Sequence, residues 1–293
     1  MESNKLNILQ PMKYWWLYFV LSLAVIIPGS YSLIQYGLKP SIDFTGGTTI
    51  VWDTPLSESE LRAQAEASQV TILSLARNKD IYTFSTPPLE KTAYQLFRSK
   101  ISGVQELSYD AVGPALGSEL IKKTLYAIIL SASLILFYVA YRFKNIKFGV
   151  SAILAMLHDS LVLLGVFSLL GYYQGVQVDT LFVTALLTIL SFSVHDTIVV
   201  YDRIRELKKK HGYLEFEEIV NRAVVETMGR SINNSLTIIF MLLAMYLLGG
   251  ETTKWFIFAL LVGTVSGTYS STFTAAPILI VWDKLSRWYK NKS

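Results

Sequence analysis

No cysteine occurs in the 293 residues of this chain, which excludes disulfides and thiolate-bound metals. Histidine is almost as scarce: His158, His195 and His211 are too few and too scattered for a structural metal centre. Only 16% of the residues are charged and 52% are hydrophobic, whereas an average soluble domain carries about a quarter charged residues. That deficit points to lipid exposure. No GxxxxGK[ST] phosphate loop is present, and the polar residues show no nucleophile–base–orienter pattern. Hydrolysis, phosphoryl transfer and covalent catalysis are therefore not implied, and no cofactor is expected. The net charge of +4 is a modest excess, and it suggests no nucleic-acid partner.

What is present is apolar. Spans near 14–36, 121–141, 146–170, 181–203, 230–249 and 254–282 each approach the roughly 20 residues needed to cross a bilayer. The first follows Lys5 and Lys13 as a signal peptide would, but its run is long and no Ala-x-Ala pattern closes it. It reads as a retained helix. Basic residues gather in alternate segments: Lys5 and Lys13; Arg142, Lys144 and Lys147; Arg203, Arg205, Lys208, Lys209, Lys210 and Arg222; and Lys284, Arg287, Lys290 and Lys292. The loop 171–180 has none. This bias places both termini in the cytoplasm. Lys122 and Lys123 lie on the other side, beside a long translocated segment where the rule is weak.

The composition divides the chain into 1–36, the N-terminus with the first span; 37–120, an outer domain; and 121–293, the remaining five spans. In the outer domain GGTTIVW and IYTFST read as strands. Ser57 with Glu60 forms a capping-box start for a helix, a second helix runs from Leu89 to Ser99, and a short strand follows near 104–110. The expected architecture is a polytopic all-α membrane bundle of six transmembrane helices, with one small extracytoplasmic α+β domain between the first and second. Residues 211–229 read as a separate short amphipathic helix near the inner surface.

Two acidic residues interrupt this apolar background, Asp159 and Asp196, and each follows a histidine. A carboxylate at bilayer depth is costly to insert, so it faces a bundle interior, pairs with another group or belongs to an ion pathway. Asp196 is the stronger relay candidate. His195 points about 100° away from it on a helix. Asp159 reads equally as a hydrogen-bond hub and as a relay member. Arg230 heads the fifth span as a candidate counter-charge or a headgroup anchor, and Asn233, Asn234 and Ser235 carry its polar patch inward. Asp202 and Arg203 lie about one and a half to two turns below Asp196, where surface or loop contacts are the default reading and closing the inner end of a polar path is the alternative. Gly263 and Gly267, four apart, permit close helix packing, and the hydroxyl-rich stretch around them leads to Pro277, where a bend is expected.

Five ordered motifs then resemble the SecF family, the smaller membrane partner of SecD in bacterial protein export. They are IDFTGGT at 42–48, GPALGSEL at 113–120, HDTIVVYDRIRE at 195–206, ETMGRSINNSLT at 226–237 and GTYSSTFTAAPIL at 267–279. The resemblance covers nearly the whole chain. It implies half of a pseudo-symmetric resistance-nodulation-division-type bundle in the bacterial inner membrane, completed by SecD. It implies use of the proton-motive force to promote movement of unfolded preprotein through the Sec channel, with a YajC-like accessory subunit, indirect coupling to SecA and contact with membrane lipid. The family's aspartate and arginine fall on Asp196 and Arg230. The chain departs from the family at His195, often asparagine, and at Tyr201, commonly phenylalanine. An ion-coupled efflux subunit and a purely structural assembly subunit are the alternatives.

Overall fold

Residues 10–143 and 146–290 are described by the structure, a computed structural model. The basic residues Lys5, Lys144 and Lys292, used above for orientation, lie outside the described residues. After a 3-10 turn at Pro11–Tyr14 come α1 (Trp15–Tyr36), the short α2 (Ile42–Thr45), β1 (Gly47–Asp53), α3 (Glu58–Ala67), β2 (Ser74–Asn78), β3 (Ile81–Thr86), α4 (Lys91–Ser99) and β4 (Gln105–Val112). Long helices follow: α5 (Pro114–Phe143), α6 (Ile146–Gln174), α7 (Thr180–Lys210) and α8 (Phe216–Leu248). The last span is α9 (Lys254–Ser270), a π-helical segment (Ser271–Ala275) and α10 (Ala276–Lys290).

The chain forms two compact units. One comprises Leu38–Ala127 with Leu170–Thr180, so the loop 170–180 joins the outer segment; the other holds the rest.

The smaller unit is an antiparallel sheet in the order β2-β3-β1-β4. Period-two alternation sends Ile50, Trp52, Tyr82 and Phe84 into a core shared with Leu61, Ala65, Tyr94 and Phe97 of the two helices. Trp52 stacks on Phe97 at 5.1 Å, meets Phe84 edge-on at 5.0 Å and donates its indole N–H to the Tyr94 hydroxyl. The expected capping box of Ser57 and Glu60 starts α3, and its hydrogen bonds hold the Glu60 carboxyl below the usual range. β2 was not anticipated, because SLARN lacks strand alternation. The glycine motif has a steric cause. Gly46 has φ +73°, and a Cβ there would lie 2.8 Å from Pro114 Cα. In the same motif, the Asp43 carboxylate accepts from the backbone N–H (3.0 Å) and hydroxyl (2.8 Å) of Thr180, the first residue of α7.

Among the described residues six helical stretches are long and apolar enough to span a membrane, and they match the six expected spans. In the larger unit α6, α7 and the last span carry most of the buried surface, whereas α1, α5 and α8 turn Ile34, Phe137 and Phe240 outward. At one crossing α1 and α6 meet backbone to backbone: a Cβ on Gly165 would lie 2.6 Å from Gly29 Cα. One turn on, the Ser32 and Ser168 hydroxyls bond at 2.8 Å. The expected break at 229–230 does not occur. Residues 216–248 are one helix, because Ile219, Val220, Ala223 and Val224 are buried in the bundle core and hold the polar half in line with the span. Asn221 on that half accepts the Met12 backbone N–H at 2.9 Å, clamping the turn before α1.

Two outcomes follow from this packing. Gly165→Leu forces α1 and α6 apart and should lower stability by about 1–3 kcal/mol; an unchanged heat-denaturation midpoint of the full chain would mean the two backbones do not touch. In the sheet unit, burial and the hydrogen bond to Glu106 push the Tyr94 phenol up to about 12. An unfolded tyrosine ionises near 10, so between about pH 10 and 12 the unfolded chain binds fewer protons than the folded one. This contribution is intact below pH 10 and is lost as pH rises through that window. Urea unfolding read from Trp52 should show the decline, and Tyr94→Phe should flatten it.

Candidate functional site

Asp159 lies on the inward stripe of α6 with Ala152, Ala155, Met156 and Leu163, spaced three or four apart. Its side chain is fully buried and surrounded by donors. On one oxygen it accepts from Ser266 (2.5 Å) and contacts His158 Nδ1 (3.1 Å); on the other it accepts from Ser193 (2.5 Å) and Ser270 (2.6 Å). One carboxylate thus ties α6 to α7 and α9. His158 Nε2 lies 3.0 Å from the Ser22 hydroxyl, which is 3.4 Å from the Tyr269 hydroxyl, and Tyr269 donates to the Tyr18 carbonyl. Ser22 has a single hydrogen to give. It serves His158 when the imidazole is neutral and is free for Tyr269 when both ring nitrogens are protonated. Ser22, His158, Ser266 and Tyr269 also line an apolar cleft of about 430 Å³ between α1, α6 and α9.

Asp196 sits one turn along α7 from Ser193 and is also buried. It accepts hydrogen bonds from Ser231 of α8 and from Ser271 at 2.8 Å. No cation pairs with it among the described residues. Arg230 is exposed on this chain and makes no hydrogen bond or ion pair among the described residues, so the structure does not bring it to Asp196. His195 and Asn234 are likewise exposed and unpartnered there. Gly263 and Gly267 both lie against α7: a Cβ on the first would collide with Ile189, and one on the second would come within 3.3 Å of Phe192. Near the end of α7 Asp202 and Arg203 enter two separate sets of ion pairs: Asp202 lies 2.5 Å from Arg142, and Arg203 is bound to Glu206 and Glu226.

The last span changes winding where it meets the two carboxylates. Ser270 ends α9 and Ser271 begins the π segment. Pro277 has no N–H to offer the carbonyl of Phe273, which removes one α-helical bond and favours the wider turn. Where the sequence suggests a bend at Pro277, the structure has a π segment just before it. Tyr201 bonds the freed region at the Ala275 carbonyl, 3.2 Å away. The buried hydroxyls of Thr197 and Thr274 have no partner among the described residues.

Sequence reasoning missed Ser22, Ser193, Ser231 and Tyr269. Ser193 had a usable signal, since it lies three residues before Asp196 and hence on the same helix face. Ser231 adjoins Arg230 but had none of its own, and Ser22 and Tyr269 are joined only by tertiary packing. Among the described residues no group of three His, Asp or Glu side chains could hold a metal ion.

Six apolar helices, a small sheet unit between the first two and a pair of serine-bound carboxylates in the bundle define a multi-pass membrane protein with a polar centre. Residues 92–285 match the family model for the protein export membrane protein SecD/SecF, C-terminal, and residues 31–51 match the SecD/SecF GG motif. The protein translocase subunit SecF of Thermobaculum terrenum is 40% identical, covering 93% of each chain, and that of Anaerolinea thermophila is 37% identical, covering 94% of this chain and 95% of its own. The crystal structure of SecDF from Thermus thermophilus, a translocon-associated membrane protein, superposes with a TM-score of 0.83 at 32% identity; it covers 93% of this chain, which spans 38% of that longer one. The chain belongs to the SecF family of protein translocase subunits.

The two carboxylates differ in how much packing they hold. Asp159→Ala strips a partner from three buried serines and His158, whereas Asp196→Ala strips one from two serines. Each unsatisfied buried donor costs about 1–3 kcal/mol. Asp159→Ala should therefore lower the thermal midpoint in detergent well below that of Asp196→Ala, and equal midpoints would contradict the difference in bonding.

Proposed function

We propose that this protein works with SecD as an ion-driven accessory of the Sec channel, promoting movement of unfolded preprotein, with Asp196 as the group that takes up and releases the ion. The observation that carries the reading is a buried aspartate in a membrane helix, held by serine hydroxyls and by no cation among the described residues. An ionised carboxylate so placed is expensive at bilayer depth. Taking up a proton or acquiring a counter-charge relieves that cost, and switching between the two is a conformational step.

Arg230 is the counter-charge in this reading. It stands one residue, about 100° of helix, from Ser231, so a rotation of α8 exchanges a hydroxyl for a guanidinium at Asp196. His195, Arg230 and Asn234 are left uncovered by this chain, and polar groups in membrane helices find partners across a helix–helix interface. That supports a second helical bundle, SecD, covering this face. A YajC-like subunit and indirect coupling to SecA belong to the same assembly. Both termini face the cytoplasm and the sheet unit lies outside, where it meets SecD or emerging substrate. One elementary charge crossing 100 mV contributes about 2.3 kcal/mol, enough to bias a rearrangement of the bundle without covalent chemistry.

Preprotein transport into vesicles containing SecD and the channel tests the reading, with and without an imposed proton gradient and with assembly checked in the same samples. The gradient should stimulate wild type and leave an intact Asp196→Asn complex unchanged. Equal stimulation of both removes Asp196 from the coupling step. Stimulation of wild type by a sodium gradient instead makes sodium the driving ion.

A further inference from the structure

The proposed function gives one carboxylate the central part, yet the bundle holds two, and they are joined twice. Along α7, Ser193 binds Asp159 and lies three residues, about 4.5 Å of helix rise, from Asp196. Along the last span, Ser270 binds Asp159 at 2.6 Å and the next residue, Ser271, binds Asp196 at 2.8 Å. Consecutive helical side chains diverge by about 100°, which is why one pair of neighbours reaches acceptors on two different helices. The junction is also the point where α winding gives way to π winding, a local change frequent at functional sites. Beside it the Thr197 and Thr274 hydroxyls are buried without partners among the described residues, so another winding of this segment has hydrogen bonds still to gain.

We propose that Asp159 and Asp196 titrate as one coupled unit, and that Ser270 and Ser271 at the α-to-π junction are the positioning residues that couple them. The joint cannot move by one residue without altering both carboxylates. Each end of the joint holds a carboxylate, so a proton bound at one end alters the serine contacts available at the other, and the titration steps then belong to the pair. The ionisable neighbours are few. His158 touches Asp159 directly, and Tyr269 reaches His158 through Ser22. The contacts from α7, α8 and α9 are otherwise serine hydroxyls; Tyr201 bonds the joint at Ala275, His195 adjoins Asp196 on α7, Asp202 and Arg203 lie six and seven residues on in ion pairs, and Arg230 adjoins Ser231 on α8. The inference rests on Asp196 as an ionisable group of the export machinery, but it concerns proton binding and not transport.

The test is an infrared pH titration of the full chain in lipid nanodiscs, following the carbonyl band of the protonated aspartates. Asp159→Asn and Asp196→Asn assign the bands. Ser270→Ala, which removes a contact of Asp159 and none of Asp196, should displace the Asp196 midpoint by about one pH unit, and Ser270→Thr should restore it. Thr268→Ala, on the same helix as Ser270, breaks the 2.6 Å bond from α9 to Ser235 of α8 and should leave the midpoint in place. An Asp196 midpoint that coincides with wild type in both Ser270→Ala and Asp159→Asn overturns the coupling. An equal displacement by Thr268→Ala also overturns it, since the effect would then be general loosening of the helix. Failure of gradient-driven transport with this titration intact would count against the proposed function alone.

Discussion

Everything in the bundle is arranged around the need to satisfy a carboxylate away from water. Asp159 has no exposed surface and meets that need with four groups from three helices. Each serine that serves it must approach to hydrogen-bond distance, which requires α7 and α9 to close tightly on α6. The small residues are consequences of this demand: Ala152 and Ala155 on α6, and Gly263 and Gly267 on α9, allow an approach that larger side chains would prevent. The same closeness brings α7 and the last span together one level further on, where Asp196 finds its own hydroxyls. A single electrostatic requirement thus accounts for the sequence of small and hydroxylated residues along α9.

Much of the architecture is legible in the sequence. Six apolar runs stood out because each is long and nearly free of charge, and Asp159 and Asp196 stood out because nothing around them is ionic. The capping box at Ser57 and Glu60 was readable because cap geometry is local. What failed was local evidence contradicted by distant packing. Glycine and arginine at 229–230 suggested a helix boundary, but buried Val220 and Val224 keep the helix continuous. The partners of the carboxylates were harder still. Serine in an apolar helix has no distinguishing period, and the residues that meet at Asp159 are separated by 34, 107 and 111 positions. Arg230 neighbours the relay region along the chain, yet its side chain is exposed and bonds no group among the described residues.

The two glycine motifs illustrate two uses of the same residue. Gly46 bends the chain with a positive φ where Pro114 leaves no room for a side chain. Gly29 and Gly165 adopt ordinary helical backbone and matter only because two helices touch there. The first use is visible in the sequence because turn chemistry is local, and the second becomes visible only when both helices are in place.

The unbroken course of α8 has a mechanical meaning. Its 33 residues form a rod about 50 Å long, gripped near one end by the Asn221 clamp and bonded to Asp196 at Ser231. Ser231 is ten residues from Asn221 and seventeen from Leu248, arms of about 15 Å and 25 Å. A tilt about Ser231 therefore swings Asn221 and Leu248 in opposite directions, with Asn221 moving about three-fifths as far. A rearrangement at one carboxylate would reach the other end of the rod as a lever transmits it, with its direction reversed and its amplitude set by the position of a single serine.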